Sequence, residues 1–251
     1  LRPPIRRIFN SVPLKISMTR YFGQEYVLES LLMTNLVLAS NSPRRRELLS
    51  LTGWKFNIQA ANIDESQLPG EDPAAYVARL AEEKAKAAAL MLASDSLVLG
   101  SDTIVVLDGQ LLGKPTGPQD AANMLRRLRG RTHQVFTGLS IISTVNGRTE
   151  NELCVVDVPM REYSDLEISQ YIASGDPLDK AGAYAIQNTA FSPVLNLSGC
   201  FASVMGLPLC HVARCLNRFA WPLPNQLPGR CQQHLQYHCT VHPQILRPTV
   251  L

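Results

Sequence analysis

The segment Ser40-Asn41-Ser42-Pro43-Arg44-Arg45-Arg46 puts three cations where a helix should begin. Ser42 suits the N-cap and Pro43 the first turn. That end of a helix already carries about half a positive charge, so each arginine there costs about 0.3 kcal/mol or more. A bound anion removes the conflict. Backbone N–H groups at a helix start hold phosphate, and arginine adds a planar fork matched to phosphate oxygens. The plain alternative is a solvated basic face.

Three further patches are more polar than their surroundings require. In Gly100-Ser101-Asp102-Thr103 an acid separates two apolar strand segments. A carboxylate there is costly unless it is paired, hydrogen-bonded or metal-bound; its plain reading is a turn aspartate bonding its own backbone. Leu112-Gly113-Lys114-Pro115 carries a lone lysine, which otherwise is an exposed hairpin residue. The run Asp179-Lys180-Ala181-Gly182-Ala183-Tyr184-Ala185-Ile186-Gln187 has small residues that permit close backbone approach. The Gln187 amide both donates and accepts and could read a base edge. Lys84 and Glu65, taken singly, read as solvated.

Together these patches supply cations and N–H groups for phosphates, carboxylates for a divalent ion, and an amide for a base. Triphosphate hydrolysis needs that set: charge neutralisation on phosphate and a carboxylate to orient or deprotonate water. The familiar phosphate loops are absent. Gly109-x-x-x-Gly113-Lys114-Pro115 is one residue short of a Walker loop and lacks its hydroxyl, and no G-x-G occurs.

The elements that must position these residues alternate. A strand at 36–39 leads to a helix over 43–52, and residues 56–60 read as extended. Asp72-Pro73 caps a long helix reaching Met91. Strands at 97–100 and 104–107 precede the turn signal Asp108-Gly109, and a helix spans 118–129. Extended segments at 132–145 and 149–159 flank Asn146-Gly147, the strongest hairpin signal in the chain. Ser164-x-x-Glu167 fits a capping box for a helix ending near Gly175. Residues 179–203 read as loops with short extended pieces, and 209–218 as a last helix. The pattern predicts an α/β domain with a mixed sheet.

The 251 residues carry a net charge of only +3, so nothing global points to nucleic acid or a membrane surface. At 45% apolar residues there is enough for a core, and no run approaches transmembrane length. All six cysteines lie at or beyond Cys154, which fits a reducing compartment better than a disulfide scaffold. Residues 1–24 hold five cations and no acid, like a transit peptide. The plainer reading is an extension over 1–33 upstream of Met18 or Met33, disordered or untranslated. Prolines recurring from Pro222 to Pro248 predict little regular structure over 219–251. Cys231, His234, His238, Cys239 and His242 in that tail could hold zinc, but a loosely docked or disordered tail is the simpler reading.

The segments LASNSPRRRELL, IDES, YVARLAEEKA, GSDTIVVLDGQLLGKP, THQVFTGLS, PLDKAGAYAIQ and GCFASVMGLPL, in that order over about 35–218, resemble the Maf family of nucleoside triphosphate pyrophosphatases in the Maf/Ham1 group. The resemblance implies a domain over 34–218 with the inosine-triphosphatase-like α/β fold: an elongated mixed sheet and a central cleft between two lobes. It implies hydrolysis of an NTP to NMP and pyrophosphate with Mg2+ or Mn2+, often by a homodimer; with the charge and cysteine readings above, the expectation is a cytoplasmic protein with no nucleic-acid or membrane partner. Carried over by position, Ser40, Arg44 and Arg45 bind the triphosphate. Lys84 and Lys114 contact phosphate, Glu65 binds metal or positions water, and Asp102 is catalytic base or metal ligand. Thr103 and Gln187 match the subgroup acting on dTTP and UTP, modified pyrimidines included. Nucleotide-pool sanitation and a link to arrest of cell division follow from the same resemblance. Asn188 departs from the glycine many members have, so the loop beyond it should differ. A purine-specific inosine-triphosphatase activity and a non-catalytic nucleotide-binding regulator are the competing expectations.

Overall fold

The computed structural model describes residues 35–247. The expectation for residues 1–33 lies outside the described residues. Six strands form one sheet in the order β2-β1-β3-β5-β6, with β4 on the far half of β3. They are β1 (Asn35–Leu38), β2 (Asn57–Ile58), β3 (Ser96–Leu107), β4 (Gln110–Leu112), β5 (Thr132–Ser143) and β6 (Thr149–Pro159). β1 pairs in parallel with β2 and β3, whereas β3, β4, β5 and β6 pair antiparallel, so the sheet is mixed. Both turn signals close hairpins: Asp108-Gly109 joins β3 to β4, and Asn146-Gly147 lies between β5 and β6.

The helices start where their caps predict. α1 (Pro43–Ser50) has Ser42 accepting from the Arg45 N–H. α2 (Pro73–Ala89) has Asp72 accepting from Ala74 and Ala75. α3 (Pro118–Leu128) follows Gly117, and α4 (Asp165–Ala173) carries the full Ser164/Glu167 capping box. α5 (Phe201–Val204) and α6 (Leu209–Asn217) follow.

β3 is the organising strand. The sequence split it in two around Asp102, but one strand of 12 residues runs through the acid. Its period of two sends Leu97, Leu99 and Val105 into the main core, while Ile104 and Val106 pack with Val77 of α2. α2 lies hard against this second face because two glycines clear the way. A Cβ on Gly100 would stand 2.1 Å from the Ala81 carbonyl oxygen, and one on Gly138 2.6 Å from that of Val77. No larger residue leaves the helix at this depth.

Residues 179–203 are mostly loop, as read: a 3₁₀ turn at Ala181–Ala183 follows the one at Asp176–Asp179, Val194 forms an isolated bridge with Met160, and α5 begins at Phe201. One expectation is corrected. The tail is helical: α7 (Leu227–Leu235) and α8 (His242–Ile245) take prolines in their first turns, where the missing N–H costs nothing. α7 buries Leu227 on the core, and Tyr237 bonds the backbone of Leu197 and Gly199.

Candidate active site

A cavity of about 840 Å³ opens beside the middle of β3, and all nine residues singled out from the sequence line it. Ser40 and the start of α1 form one wall, β3 the floor, and the segments around Lys114 and Gln187 the facing rim. Gly182 N–H bonds the Gly113 carbonyl, tying the Lys114 loop to the turn that leads to Gln187. Lys114 and Gln187 are exposed and Thr103 is half-buried.

Asp102 points toward α2, where Lys84 meets it. The Lys84 Nζ donates to Asp102 Oδ1 at 2.6 Å and reaches Glu65 Oε1 at 2.7 Å. One ammonium thus bridges two carboxylates and leaves the second oxygen of each free among the described contacts. Glu65 sits in the loop before α2, where its carbonyl accepts from Tyr76 Oη at 2.6 Å. Burial pushes the Glu65 carboxyl up, but Lys84, Lys114 and Arg45 outweigh it and hold it below its ordinary value. Burial and the charges of Asp102 and Glu65 push the Tyr76 phenol up, so it stays a donor.

The three arginines of α1 separate. Arg46 is exposed, as a solvated residue should be. Arg44 stands 3.7 Å from Asp179. Arg45 turns inward: its Nε donates to the Gly206 carbonyl at 3.0 Å, and its terminal nitrogens reach Ser40 Oγ and Thr103 Oγ1 at 3.4 Å each. Burial pushes the Arg45 pKa down, partly offset by Asp102. Among the described residues, Arg45 and Lys114 form no ion pair. A half-buried cation such as Arg45, met by neutral acceptors alone, is a site for an anion.

A family model for Maf-like proteins matches residues 35–219. The chain belongs to the Maf-like protein family. Its relatives include a dTTP/UTP pyrophosphatase of Shewanella denitrificans, 51% identical over 69% of this chain and 90% of the relative. Others of the same description come from Escherichia coli, 46% identical over 74% and 94%, and Photorhabdus laumondii, 44% identical over 74% and 95%.

Parts of this Maf-like cleft had no sequence signal. The Gly206 carbonyl holds both Arg45 and Ser101 Oγ, but a backbone acceptor 161 residues from its arginine leaves no pattern. Lys180 lines the cleft with its charge spent on Asp176 and Asp179, and Asp179 in turn aligns Arg44. Asn188, the departure from family pattern, is a brace: it donates to Asp176 and accepts from the Phe191 N–H. The Cys/His tail forms no cluster of three or more metal-ligating side chains among the described residues.

Proposed function

We propose that this Maf-like protein hydrolyses dTTP and UTP, with modified pyrimidine counterparts, to the nucleoside monophosphate and pyrophosphate, and so clears the nucleotide pool. One arrangement carries the reading: Arg45, half-buried and without a counter-ion among the described residues, shares a triphosphate-sized cavity with carboxylates bridged by Lys84. The choice of nucleoside rests on relatives described as dTTP/UTP pyrophosphatases, which this chain matches over 90% or more of their length.

Arg44, Arg45, Lys114 and Ser40 bind the phosphate oxygens, where preorganised donors favour the charge that develops as the bond to the leaving group stretches. Lys84 fixes one oxygen of Asp102 and one of Glu65. Asp102 Oδ2 then takes the proton of the attacking water as its oxygen bonds to phosphorus, the bridging P–O bond breaks and pyrophosphate leaves. Glu65 and Asp102 would hold a Mg2+ or Mn2+ ion. They already converge on one cation, and two carboxylates with phosphate oxygens and water completing the shell suit these hard ions. When bound, such an ion neutralises phosphate charge.

Phosphate release with added pyrophosphatase, across a nucleotide panel with and without Mg2+, tests the proposal. Metal-dependent turnover led by dTTP and UTP is expected; none at all sinks it, and a lead for ITP transfers the assignment to the purine reading. We also propose a cytoplasmic homodimer. Six free cysteines fit a reducing compartment, and the β6 edge with exposed Leu153 and Val155 offers a face for a second copy. A monomer mass at micromolar concentration in sedimentation, or recovery outside the cytoplasm on fractionation, removes the corresponding half.

A further inference from the structure

Strand register sets Thr103 of β3 directly opposite Thr137 of β5. Their hydroxyl oxygens are 3.0 Å apart. Thr137 is fully buried and its Oγ1 lies 2.9 Å from the Ser203 carbonyl, an atom that can only accept. Thr137 has a single proton, and that carbonyl takes it. The contact between the two threonines is then a hydrogen bond only if Thr103 donates. The third contact agrees, since Arg45 donates to Thr103 Oγ1. One assignment satisfies all three contacts: Arg45 to Thr103, Thr103 to Thr137, Thr137 to the Ser203 carbonyl.

We infer that Thr137 is a specificity-positioning residue: by consuming the Thr103 proton it makes the cleft-facing Thr103 hydroxyl an acceptor only. This rests on the pyrophosphatase reading above and deepens it. Thr103 lines the cavity, and Arg45 takes only one of the two lone pairs of its hydroxyl. Such an oxygen receives a ligand N–H and repels a ligand lone pair. Uracil and thymine share an imide N3–H, whereas cytosine presents a bare N3 lone pair at that position. The chain of hydroxyls therefore reads the one donor common to the two pyrimidines proposed as substrates and rejects cytosine by leaving lone pairs opposed.

The sign of the discrimination depends on Thr137, which lies behind Thr103 and accepts its proton. Thr137→Val keeps the shape and removes the proton sink, so the Thr103 hydroxyl is free to rotate and donate. The Ser203 carbonyl keeps the Gly206 N–H as partner.

The test is the ratio of kcat/KM for UTP over CTP in the wild type, Thr137→Val and Thr137→Ser. The ratio is expected to fall about tenfold or more in Thr137→Val through a gain on CTP, and to stay near the wild-type value in Thr137→Ser. An unchanged ratio in a folded Thr137→Val protein overturns the inference while leaving the pyrophosphatase reading intact. Wild-type protein that hydrolyses neither UTP nor dTTP removes both. If Thr137→Val does not fold, Thr103→Val decides: a lowered ratio supports the Thr103 acceptor, and an unchanged one overturns it. Wild-type protein should also discriminate against N3-methyl-UTP, which lacks the donor; equal use of it and UTP overturns the inference without any variant.

Discussion

Asp102 and Arg45 solve opposite problems at the residue scale, one a buried charge and the other a half-buried one. Asp102 has its counter-ion built in, at 2.6 Å on Lys84, while Arg45 has carbonyl and hydroxyl acceptors and no carboxylate. The acid is thus complete before ligand arrives and the arginine is not. Asp102→Asn keeps the shape and removes the proton acceptor, so kcat should fall by about two orders of magnitude or more with the melting temperature little changed. A near-normal rate assigns the base elsewhere, with Glu65 next in line. Arg45 predicts a ligand effect on stability. Saturating inorganic pyrophosphate, at about 100 times its Kd, should stabilise by about 2.7 kcal/mol and raise Tm by about 5–10 °C. Arg45→Gln should lose most of that rise; a wild-type Tm indifferent to pyrophosphate contradicts the anion site.

The distance from Lys84 to Asp102 is set at the scale of elements by how closely α2 approaches the sheet. Gly100 and Gly138 fix that approach, because any Cβ there meets a backbone carbonyl of α2 rather than a flexible side-chain tip. Gly138→Ala should therefore cost about 1–3 kcal/mol in denaturant unfolding. The same variant should lower kcat, since the helix carrying Lys84 must lift. Unfolding and turnover that both match the wild type would show that the sheet, not the helix, yields. Elements far from the chemistry also bear on it. Tyr237 of the tail grips the Leu197–Gly199 backbone, which leads directly into α5 and the Gly206 carbonyl that holds Arg45.

For the whole molecule, two buried histidines set the response to acid. Burial pushes both His133 and His211 down to about 4. His133 meets Tyr184 Oη at 2.8 Å, and each ring leaves its Nδ1 without a partner. Glu152 raises and Arg214 lowers the His211 value, both less than burial does. Each ring is neutral in the native state and takes a proton in the unfolded chain below the ordinary histidine pKa near 6.5. Stability is therefore full above about pH 6.5 and falls as pH drops toward 4, by on the order of 3 kcal/mol per ring over that window. Carboxylates held low, such as Asp179 and Glu65, extend the loss to lower pH. Thermal melts between pH 7.5 and 4.5 check it; a flat Tm down to pH 5 contradicts the assignment.

The sequence by itself determined what is local. Caps, hairpin turns and strand periods are encoded within a few residues, and Ser42, Asp72, Ser164, Asp108-Gly109 and Asn146-Gly147 acted where they stood. It also determined the inventory of charges, and with the family's motifs the identity of the nine residues that share the cleft. It misread the strand through Asp102, because an acid mid-strand reads as a break until Lys84 supplies its partner. It misread the tail, because proline frequency does not say that Pro228 and Pro243 fall in first turns, where a helix tolerates them. Only the tertiary structure decided which of three adjacent arginines turns inward, which carbonyl holds it, and which way the Thr103 proton points. Those facts depend on atoms 34 to 161 residues apart, and a hydrogen bond's direction is fixed by partners that only folding brings together.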